Sequence, residues 1–549
     1  MIIAAKEKEK AQKLAAQRKI AESVSRSAPT SRAASPVRGA PVKGAKGIKK
    51  VGPSTPLRGK VGAVDQRQLD IAGLNLETKE EPQVEEPPPK MSLAKEKVLE
   101  EAKKVLAAEE QSGRRGVSLV VIGHVDAGKS TLMGRLLYEL GRVDEKQRTA
   151  NERGSSKIGK GSFSWAWELD GTIEERERGI TMDIAQQTLE TPHRNITILD
   201  APGHKDFIPN MISGASQADC ALLVVDAATG EFEAGFERGG QTREHLLLVR
   251  SLGVGQVIVA VNKLDQVGWA QERYDDICSQ LKPFLVHSGF HPAKTHFAPV
   301  GAMTGVNLVN RDGEEAAALN KWYKGPSLVD LLDMLQPPTR DITAPLRFPI
   351  SNVFKGPSSG TGVSGRICSG VVQVGERVRI LPGDESAIVK SIETEEKPLP
   401  WAVAGWNVTL YLTAVDPIHL NIGSVLCPPT DLIPLASVFT ARIIVFDIQV
   451  PILAGTSVRR SSSVSGDTAK PCKLDRASGS TIKKNPRVLT KGTSAEVQIS
   501  IRPASMSGYG ARPQPIPLET FATSKEMGRV LIRRSGETIA AGIVLDILE

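Results

Sequence analysis

The 549-residue sequence has no long apolar run. None reaches the roughly eighteen residues that cross a bilayer, and the opening stretch, MIIAAKEKEKAQK, is too charged for a secretory signal peptide. We therefore expect a cytoplasmic protein that does not enter a membrane. No CxxC pair occurs among the five scattered cysteines, which we expect to be reduced thiols of a cytosolic protein: Cys220, Cys278, Cys368, Cys427 and Cys472.

Acidic and aromatic residues are scarce in the first part of the chain. Residues 1–60 hold fifteen Lys/Arg against three Asp/Glu, a net charge of +12, whereas the whole chain carries +8. The stretch SAPTSRAASPVRGAPVKGAKG cannot bury a core. Residues 1–115 are therefore predicted to be a disordered basic arm and linker, with helical composition only near its two ends. The arm is either a solvated linker or a salt-sensitive contact with RNA phosphates.

The rest of the chain is too long for a single core, and its pattern of apolar and polar residues changes near residue 340. Residues 116–340 alternate apolar runs with helical segments, the runs being VSLVVIG, NITILDAP, CALLVVDA, QVIVAVNKLD and HFAPVGA. This alternation predicts an α/β domain with a doubly wound, mostly parallel sheet, which binds ligands at the carboxyl ends of its strands. Short alternating strands with glycine turns follow, and they predict two small antiparallel β-barrels at residues 341–431 and 432–549.

The stretch GHVDAGKST lies between the first predicted strand and a predicted helix. It fits the pattern Gly-x4-Gly-Lys-Ser, in which backbone N–H groups and a helix N-terminus surround phosphate oxygens. Lys129 is expected to neutralise the β- and γ-phosphates, and the Ser130 hydroxyl to ligate Mg²⁺. The α/β domain is thus predicted to be a P-loop domain, and the nucleotide-binding residues of this loop are Gly123, His124, Val125, Asp126, Ala127, Gly128, Lys129, Ser130 and Thr131. The loop does not identify the base.

A second motif, NKLD, follows the strand QVIVAV and comprises Asn262, Lys263, Leu264 and Asp265. An aspartate carboxylate can accept hydrogen bonds from N1–H and the 2-amino group of guanine. Adenine offers neither donor at that edge, so Asp265 would select GTP over ATP. Alone, NKLD could be a capped turn; downstream of a P-loop it favours a guanine-binding site.

Two further stretches suit a γ-phosphate switch. In DAPGHKDF, Asp200 ends a predicted strand, where its carboxylate could hold Mg²⁺ through water, and the Gly203 N–H could reach the γ-phosphate. ERERGITMD supplies Thr181, whose hydroxyl could close over Mg²⁺. Loss of the γ-phosphate would free both segments. Three neighbours complete the predicted nucleotide-binding set of DAPGHKDF: Ala201, Pro202 and His204.

Five stretches, GHVDAGKST, ERERGITMD, DAPGHKDFIPNMISGASQAD, GGQTREH and NKLD, resemble translational GTPases of the elongation factor one-alpha type. The resemblance covers about residues 117–549. Within that group the chain is most similar to HBS-type ribosome-rescue factors, partners of Pelota. The stretches that favour this branch are GKGSFSWAWELD, GEFEAGFERGGQTREHLLLVRSLGV, LNKWYKGPSL, RVLTKGTSAEV and MGRVLIRRSGETIAAGIV. Class II release factors share much of this sequence and are the second family that the chain resembles.

The resemblance implies a ribosome-stimulated GTPase that binds GTP, GDP and Mg²⁺. It implies that His204 orients the attacking water behind a hydrophobic gate of Val125 and Ile180, and that the sarcin–ricin loop of ribosomal RNA draws the histidine into place. The last guanine-binding loop is Gly301, Ala302 and Met303, where the family has Ser-Ala or Ser-Gly. The implied partner is a Pelota-type, tRNA-shaped factor, bound by a monomer to form a heterodimer that rescues stalled ribosomes in no-go and non-stop mRNA surveillance.

Two other hypotheses stay open at this point. One is a factor that delivers a release factor or aminoacyl-tRNA; the other is a GTP-binding scaffold, which would not need His204. The last barrel departs from the family at RRSSSVSGDTAKPCKL and at SMSGYGARPQP. Partner contacts of that domain therefore transfer least directly from the family. The N-terminal arm has no zinc-ligand cluster, and its function does not transfer either.

Overall fold

The computed structural model describes residues 93–549, except for gaps at 158–163, 170–172, 179–180, 183, 238–239, 357–359, 395–396, 449, 454–456, 461–464, 475–480, 485, 503–514 and 535. Residues 1–92 of the predicted arm and linker, the gate residue Ile180 and most of SMSGYGARPQP lie outside the described residues. Within the part of the chain that is described, no helix is both long enough and apolar enough to cross a membrane.

The first domain is built on a six-stranded sheet. Its strands are β1 (Gly116–Gly123), β2 (Ala185–Glu190), β3 (Asn195–Asp200), β4 (Cys220–Asp226), β5 (Gln256–Asn262) and β6 (Thr295–Pro299). Their spatial order is β2-β3-β1-β4-β5-β6, and all pairs are parallel except the antiparallel pair β2–β3. The five predicted apolar runs correspond to all of these strands except β2. That edge strand, AQQTLE, is too polar to be found by an apolar pattern.

Helices cover both faces of this sheet. Those of the first domain are α2 (Lys129–Glu139), α3 (Glu145–Lys157), α4 (Ile173–Arg178), α5 (Ile208–Ser216), α6 (Glu231–Phe236), α7 (Gln241–Leu252), α8 (Gln271–His287), α9 (Ala317–Asn320) and α10 (Leu328–Asp333). Side chains alternate along β1: Val120 and Ile122 join the core on one face, whereas Leu119 and Val121 join the core on the other. Because both faces are buried, the strands are nearly continuous apolar runs.

The second domain is a closed antiparallel barrel. Its strands are β7 (Phe348–Lys355), β8 (Thr361–Arg366), β9 (Val371–Gln373), β10 (Arg377–Leu381), β11 (Glu385–Thr394), β12 (Lys397–Leu399), β13 (Trp401–Val403), β14 (Asn407–Thr413) and β15 (Val425–Cys427). The sheet runs β10-β15-β7-β8-β14-β11-β12, and an additional pairing of β10 with β11 closes it. Closure leaves no unpaired edge between these two strands.

The third domain repeats this architecture. Its strands are β16 (Leu435–Ala436), β17 (Val438–Val445), β18 (Ile452–Leu453), β19 (Ser457–Arg460), β20 (Ser465–Leu474), β21 (Thr481–Lys484), β22 (Val488–Leu489), β23 (Ser494–Arg502), β24 (Ile516–Pro517), β25 (Arg529–Arg534) and β26 (Glu537–Ile547). The pairing of β19 with β20 closes the sheet β19-β25-β26-β17-β23-β20-β21. The predicted fold class, an α/β domain followed by two small antiparallel barrels, is confirmed.

One end of the predicted linker, whose composition indicates a helix, is not disordered but packed against the rest of the protein. Residues Leu93–Ser112 form a helix, α1, that packs on the first barrel. Its Ala102 is fully buried in a cluster with Val371 and Val403, and Lys95 pairs with Glu376 at 2.5 Å. The segment is ordered because one apolar stripe of a highly charged helix finds a partner surface, which composition alone does not reveal.

The first barrel meets the amino ends of the sheet strands, opposite the loops that the sequence assigns to the nucleotide. Arg366 of the barrel pairs with Asp219 and donates to the carbonyl oxygen of Gln217 at 2.8 Å. Arg340 approaches the same carboxylate at 3.5 Å. The side chains of Arg366 and Asp219 are 4% and 2% exposed, so the ion pair is withdrawn from water.

We expect Arg366→Met to destabilise the protein by about 3 kcal/mol, the lower end for breaking a buried pair, because Arg340 still neutralises part of the Asp219 charge. Arg379→Met is the matched control, since Arg379 pairs with an Asp384 side chain that is 58% exposed. The control should cost at most about 1 kcal/mol. Urea unfolding followed by circular dichroism measures both; equal losses would contradict the importance of this interface.

Candidate functional site

The loop 123–131 connects the end of β1 to the start of α2 and is shaped by its glycines. Gly128, the residue before α2, has φ of 88°, a left-handed conformation that other residues rarely adopt. A Cβ atom there would also lie 2.5 Å from Nδ2 of Asn262. The loop therefore requires glycine at this position, and it exposes the N-terminal amides of α2 as an anion-binding surface.

Lys129 is the first residue of α2 and is almost completely buried. Its ammonium group donates to the carbonyl oxygens of Gly123 at 3.2 Å and His124 at 2.8 Å. Burial lowers the pKa of Lys129, and the nearby carboxylates of Asp200 and Asp126 oppose that shift. A buried cation held inside a loop of this shape is suited to an anionic ligand.

Gly203 brings the loop DAPGHKDF to the same point. A Cβ atom at Gly203 would lie 2.4 Å from Nζ of Lys129 and 3.2 Å from the carbonyl oxygen of Gly123. A side chain at this position would crowd the carbonyl oxygen of Gly123 and displace the Lys129 ammonium group. The structure thus unites the two segments that the sequence assigned to the phosphates.

The three predicted magnesium ligands also lie together. Ser130 donates from Oγ to Oδ2 of Asp200 at 2.7 Å, and its Oγ lies 3.1 Å from Oγ1 of Thr181. Oδ1 of Asp200 is buried without a hydrogen-bond partner among the described residues. Burial raises the pKa of Asp200 to about 6, against the lowering effects of Ser130 and Lys129. Two hydroxyls and a carboxylate with a free oxygen are the donors that Mg²⁺ prefers.

The position of Thr181 depends on two side chains that the sequence did not single out. Glu175, at the middle of α4, accepts a hydrogen bond from the backbone N–H of Met182 at 2.9 Å. Asn210 of α5 donates to the carbonyl oxygen of the same residue at 2.8 Å. The backbone beside Thr181 is therefore held from both sides. No spacing rule links these residues, which meet only in the folded chain.

Asn262 joins the P-loop to the last predicted base-binding loop, which begins at Gly301, Ala302 and Met303 and is called the base loop below. Its Nδ2 donates to the carbonyl oxygen of Ala127 at 2.9 Å, and its Oδ1 accepts from the backbone N–H of Ala302 at 2.9 Å. Asp265 lies beside that loop, since a Cβ atom at Gly301 would be 3.2 Å from its Oδ1. Half-burial raises the pKa of Asp265. The predicted guanine-reading residues are thus assembled in one place.

The three remaining predicted base-binding residues, Lys263, Leu264 and Met303, differ in their surroundings. Lys263 has a left-handed backbone, with φ of 62°, and its ammonium pairs with Asp226 at 2.6 Å. Leu264 is completely buried in the domain core, whereas Met303 is 44% exposed. Leu264 therefore anchors the motif NKLD in the core, and Met303 lies at the protein surface.

His204 is placed on the surface. Its side chain is 45% exposed, and Nδ1 lies 3.4 Å from the Asp206 carboxylate and accepts from the Asp206 backbone N–H at 3.3 Å. Of its two predicted gate residues, Val125 is described, and its backbone N–H donates to Oε1 of Gln241 at 3.3 Å. Ile180 lies in one of the gaps.

The start of α7 packs against the P-loop. The sequence did not indicate this contact. Besides Gln241, the helix contributes His245, which is 1% exposed. Burial, together with the charges of Lys129 and His124, lowers the pKa of His245 to about 3. The imidazole is therefore neutral at physiological pH and adds no positive charge beside the lysine. The motif GGQTREH marked this stretch, yet the motif gives no indication of which atoms these side chains contact.

Three family models match consecutive parts of the chain. The Elongation factor Tu GTP binding domain matches residues 114–338, Elongation factor Tu domain 2 matches residues 360–427, and the GTP-eEF1A C-terminal domain-like model matches residues 438–545. The matches therefore follow the α/β domain and the two barrels in order.

Individual relatives extend across the same region. The chain is 44% identical to Protein HBS1 of Drosophila melanogaster over 459 residues, which cover 83% of this chain and 67% of that protein. It is 42% identical to Elongation factor 1-alpha of Hyperthermus butylicus, covering 78% of this chain and 96% of that protein. Among solved structures, the GTP-bound Ski7 GTPase-like domain of S. cerevisiae shares the fold, with a TM-score of 0.64 at 20% identity over 80% of this chain and 99% of that one.

The full-length match to an elongation factor 1-alpha and the longer match to HBS1 agree with the geometry of the phosphate and base loops. The chain belongs to the elongation factor 1-alpha family of translational GTPases, in its HBS-type branch, and it is a GTP-hydrolysing enzyme that binds GTP and GDP.

Proposed function

We propose that this GTPase acts with a Pelota-type, tRNA-shaped factor to rescue stalled ribosomes in the cytoplasm. The observation that carries the proposal is the 44% identity to HBS1, which extends over 83% of the chain. In this proposal the protein is a monomer that forms a heterodimer with its partner. The heterodimer enters a ribosome that has no usable codon, and GTP hydrolysis releases the GTPase so that the subunits can separate.

The residues of the P-loop bind the phosphates in this proposal. The amides between Gly123 and Thr131 surround the β-phosphate, and Lys129 exchanges its two carbonyl contacts for phosphate oxygens. That exchange is favourable because a buried ammonium gains more from an anion than from neutral acceptors. Asp265 accepts from the guanine edge, while Asn262 keeps the base loop and the P-loop in register.

Ser130, Thr181 and, through water, Asp200 would hold Mg²⁺. When bound, the ion would neutralise charge on the β- and γ-phosphates during transfer. The Ser130 hydroxyl already donates to the Asp200 carboxylate, and the Thr181 hydroxyl lies beside that of Ser130. Since Thr181 and Gly203 approach the site from different segments, loss of the γ-phosphate would release both and change the shape that the partner meets.

His204 is proposed to orient the water that attacks the γ-phosphate. Its side chain is half exposed and faces Asp206, so it has to turn inward past Val125 before it can act. Ribosomal RNA of the sarcin–ricin loop would supply that turn, and hydrolysis would stay slow until the complex docks. Activation of GTPases in trans is typically worth about 10³- to 10⁵-fold, or roughly 4 to 7 kcal/mol of barrier.

Delivery of aminoacyl-tRNA is the second candidate, because the 42% identity to Elongation factor 1-alpha of Hyperthermus butylicus is nearly as high as that to HBS1. Delivery of a release factor is the related alternative. All three functions use the same nucleotide chemistry and differ in the molecule that the two barrels carry. The partner therefore decides among them.

We expect His204→Ala and Lys129→Ala to separate chemistry from binding. His204→Ala should bind GTP nearly as tightly as the parent but lose roughly 10³-fold of the ribosome-stimulated hydrolysis rate. Lys129→Ala should abolish GTP binding, because the buried site loses its counter-charge. Equilibrium binding of a fluorescent GTP analogue and single-turnover hydrolysis on purified ribosomes measure the two effects. Parental turnover by His204→Ala on ribosomes would reject the role of this histidine.

The partner is tested by competition. With a non-hydrolysable GTP analogue, the protein should cosediment with Pelota in preference to a release factor or aminoacyl-tRNA. With GDP, Pelota should be bound much more weakly, because only a difference in affinity lets hydrolysis drive release.

Retention of aminoacyl-tRNA in that mixture would assign a delivery function, and retention of the release factor would assign termination. Either result contradicts ribosome rescue. Lys129→Ala serves as the control, since a protein without nucleotide should retain none of the three.

A further inference from the structure

Arg135 connects the base loop to α2. Its guanidinium donates from Nη1 to the carbonyl oxygen of Met303 at 3.0 Å and from Nη2 to that of Thr304 at 3.2 Å. Asn262 holds the same loop from the other side through Ala302. Removal of Arg135 would leave two loop carbonyls without their side-chain donors, so the loop would open more often.

Trp165 lies on the face of the same guanidinium. The Arg135 Cζ atom is 4.8 Å from the centroid of the indole ring, and Arg148 of α3 stacks on that indole at 5.1 Å. Tyr138 of α2 adds a ring contact at 5.2 Å between centroids. The indole is thus fixed by three side chains from two helices, and the stack brings a cation to an aromatic face, where it is attracted by the ring electrons.

The backbone of Trp165 also packs closely against α2. A Cβ atom at Gly134 would lie 2.0 Å from the carbonyl oxygen of Trp165, so only glycine lets the helix and the segment pack at this distance. Trp165 lies in the connection between α3 and α4, and the carbonyl oxygen of nearby Trp167 accepts a hydrogen bond at 3.2 Å from Arg176 of α4, the helix that precedes Thr181. The chain that leads to Thr181 is therefore in contact, through Trp165, with the arginine that holds the base loop.

We propose that Arg135 is a positioning residue that couples the switch segment, through Trp165, to the loop that holds the guanine base. The proposal rests on the nucleotide site assigned above. An arginine suits this role because its planar group presents a face to the indole and N–H edges to two carbonyl oxygens simultaneously. A lysine at this position could not make both contacts.

Nucleotide release is the property that this arrangement controls. Opening of the base loop precedes departure of the base, and Arg135 keeps the loop closed while Trp165 keeps Arg135 in place. Loss of either side chain should speed release of GDP by roughly fivefold to twentyfold, the lower part of the range for coupling between two sites. Because each variant breaks the same connection, the double variant should be little faster than either single one.

The experiment uses the full chain and the release of N-methylanthraniloyl-GDP in stopped flow. Arg135→Met, Arg135→Lys, Trp165→Leu and the double variant Arg135→Met with Trp165→Leu are compared with the parent. Arg142→Met is the matched control, since Arg142 follows the same helix but donates to the carbonyl oxygen of Thr188 in β2. We expect all four test variants to release the nucleotide faster and the control to release it at the parental rate.

Hydrogen exchange supplies a second readout, independent of catalysis. In Trp165→Leu, amides of residues 301–308 should exchange faster, while those of the central strand β4 stay unchanged, which excludes general destabilisation. Parental GDP release by Arg135→Met, or additive effects in the double variant, would overturn the coupling. If instead the parent itself fails to bind the labelled GDP, the nucleotide site is wrong, and that failure is distinguishable from the first.

Discussion

The side-chain amide of Asn262 is the interaction on which the nucleotide site depends. It is 1% exposed, and its two ends are bonded to the P-loop at Ala127 and to the base loop at Ala302. A buried amide with both ends satisfied fixes the distance between the P-loop and the base loop, and its removal would leave buried backbone groups unpaired. The strict position of Gly128 follows from the same contact, because Nδ2 of Asn262 occupies the space of a Cβ atom.

The two barrels contact the GTPase domain at different places. The first is joined to the amino ends of the strands through Asp219 and Arg366. The second contacts α7, where Arg529 donates to the carbonyl oxygen of Ser251 at 3.5 Å and Arg533 lies 4.0 Å from Glu244. The same helix carries Gln241 beneath the P-loop. A continuous packed route therefore leads from the second barrel to the backbone of Val125.

Much of this architecture could be predicted from the sequence, because motif residues are fixed by their chemistry. The mostly parallel sheet and the meeting of Lys129 with Asp200 follow from apolar runs that end in functional residues, and Thr181 was indicated by the stretch ERERGITMD. Contacts between distant side chains carry no such signal: Val125 and Gln241 are bonded across 116 positions. The docking of α1 was also missed, since its charged sequence hides the buried Ala102. Arg135 and Trp165 lie outside every motif that binds phosphate.

We propose that Asp265 reads the guanine base at the carboxyl edge of the sheet. Replacing this residue by asparagine tests it, because an amide can donate to the 2-oxygen of xanthine, whereas a carboxylate cannot. The affinities of the parent and of Asp265→Asn are measured for GDP and for xanthosine diphosphate. The variant should bind GDP more weakly than the parent does and should prefer the xanthosine nucleotide. Parental affinity for GDP in Asp265→Asn would contradict this role of Asp265.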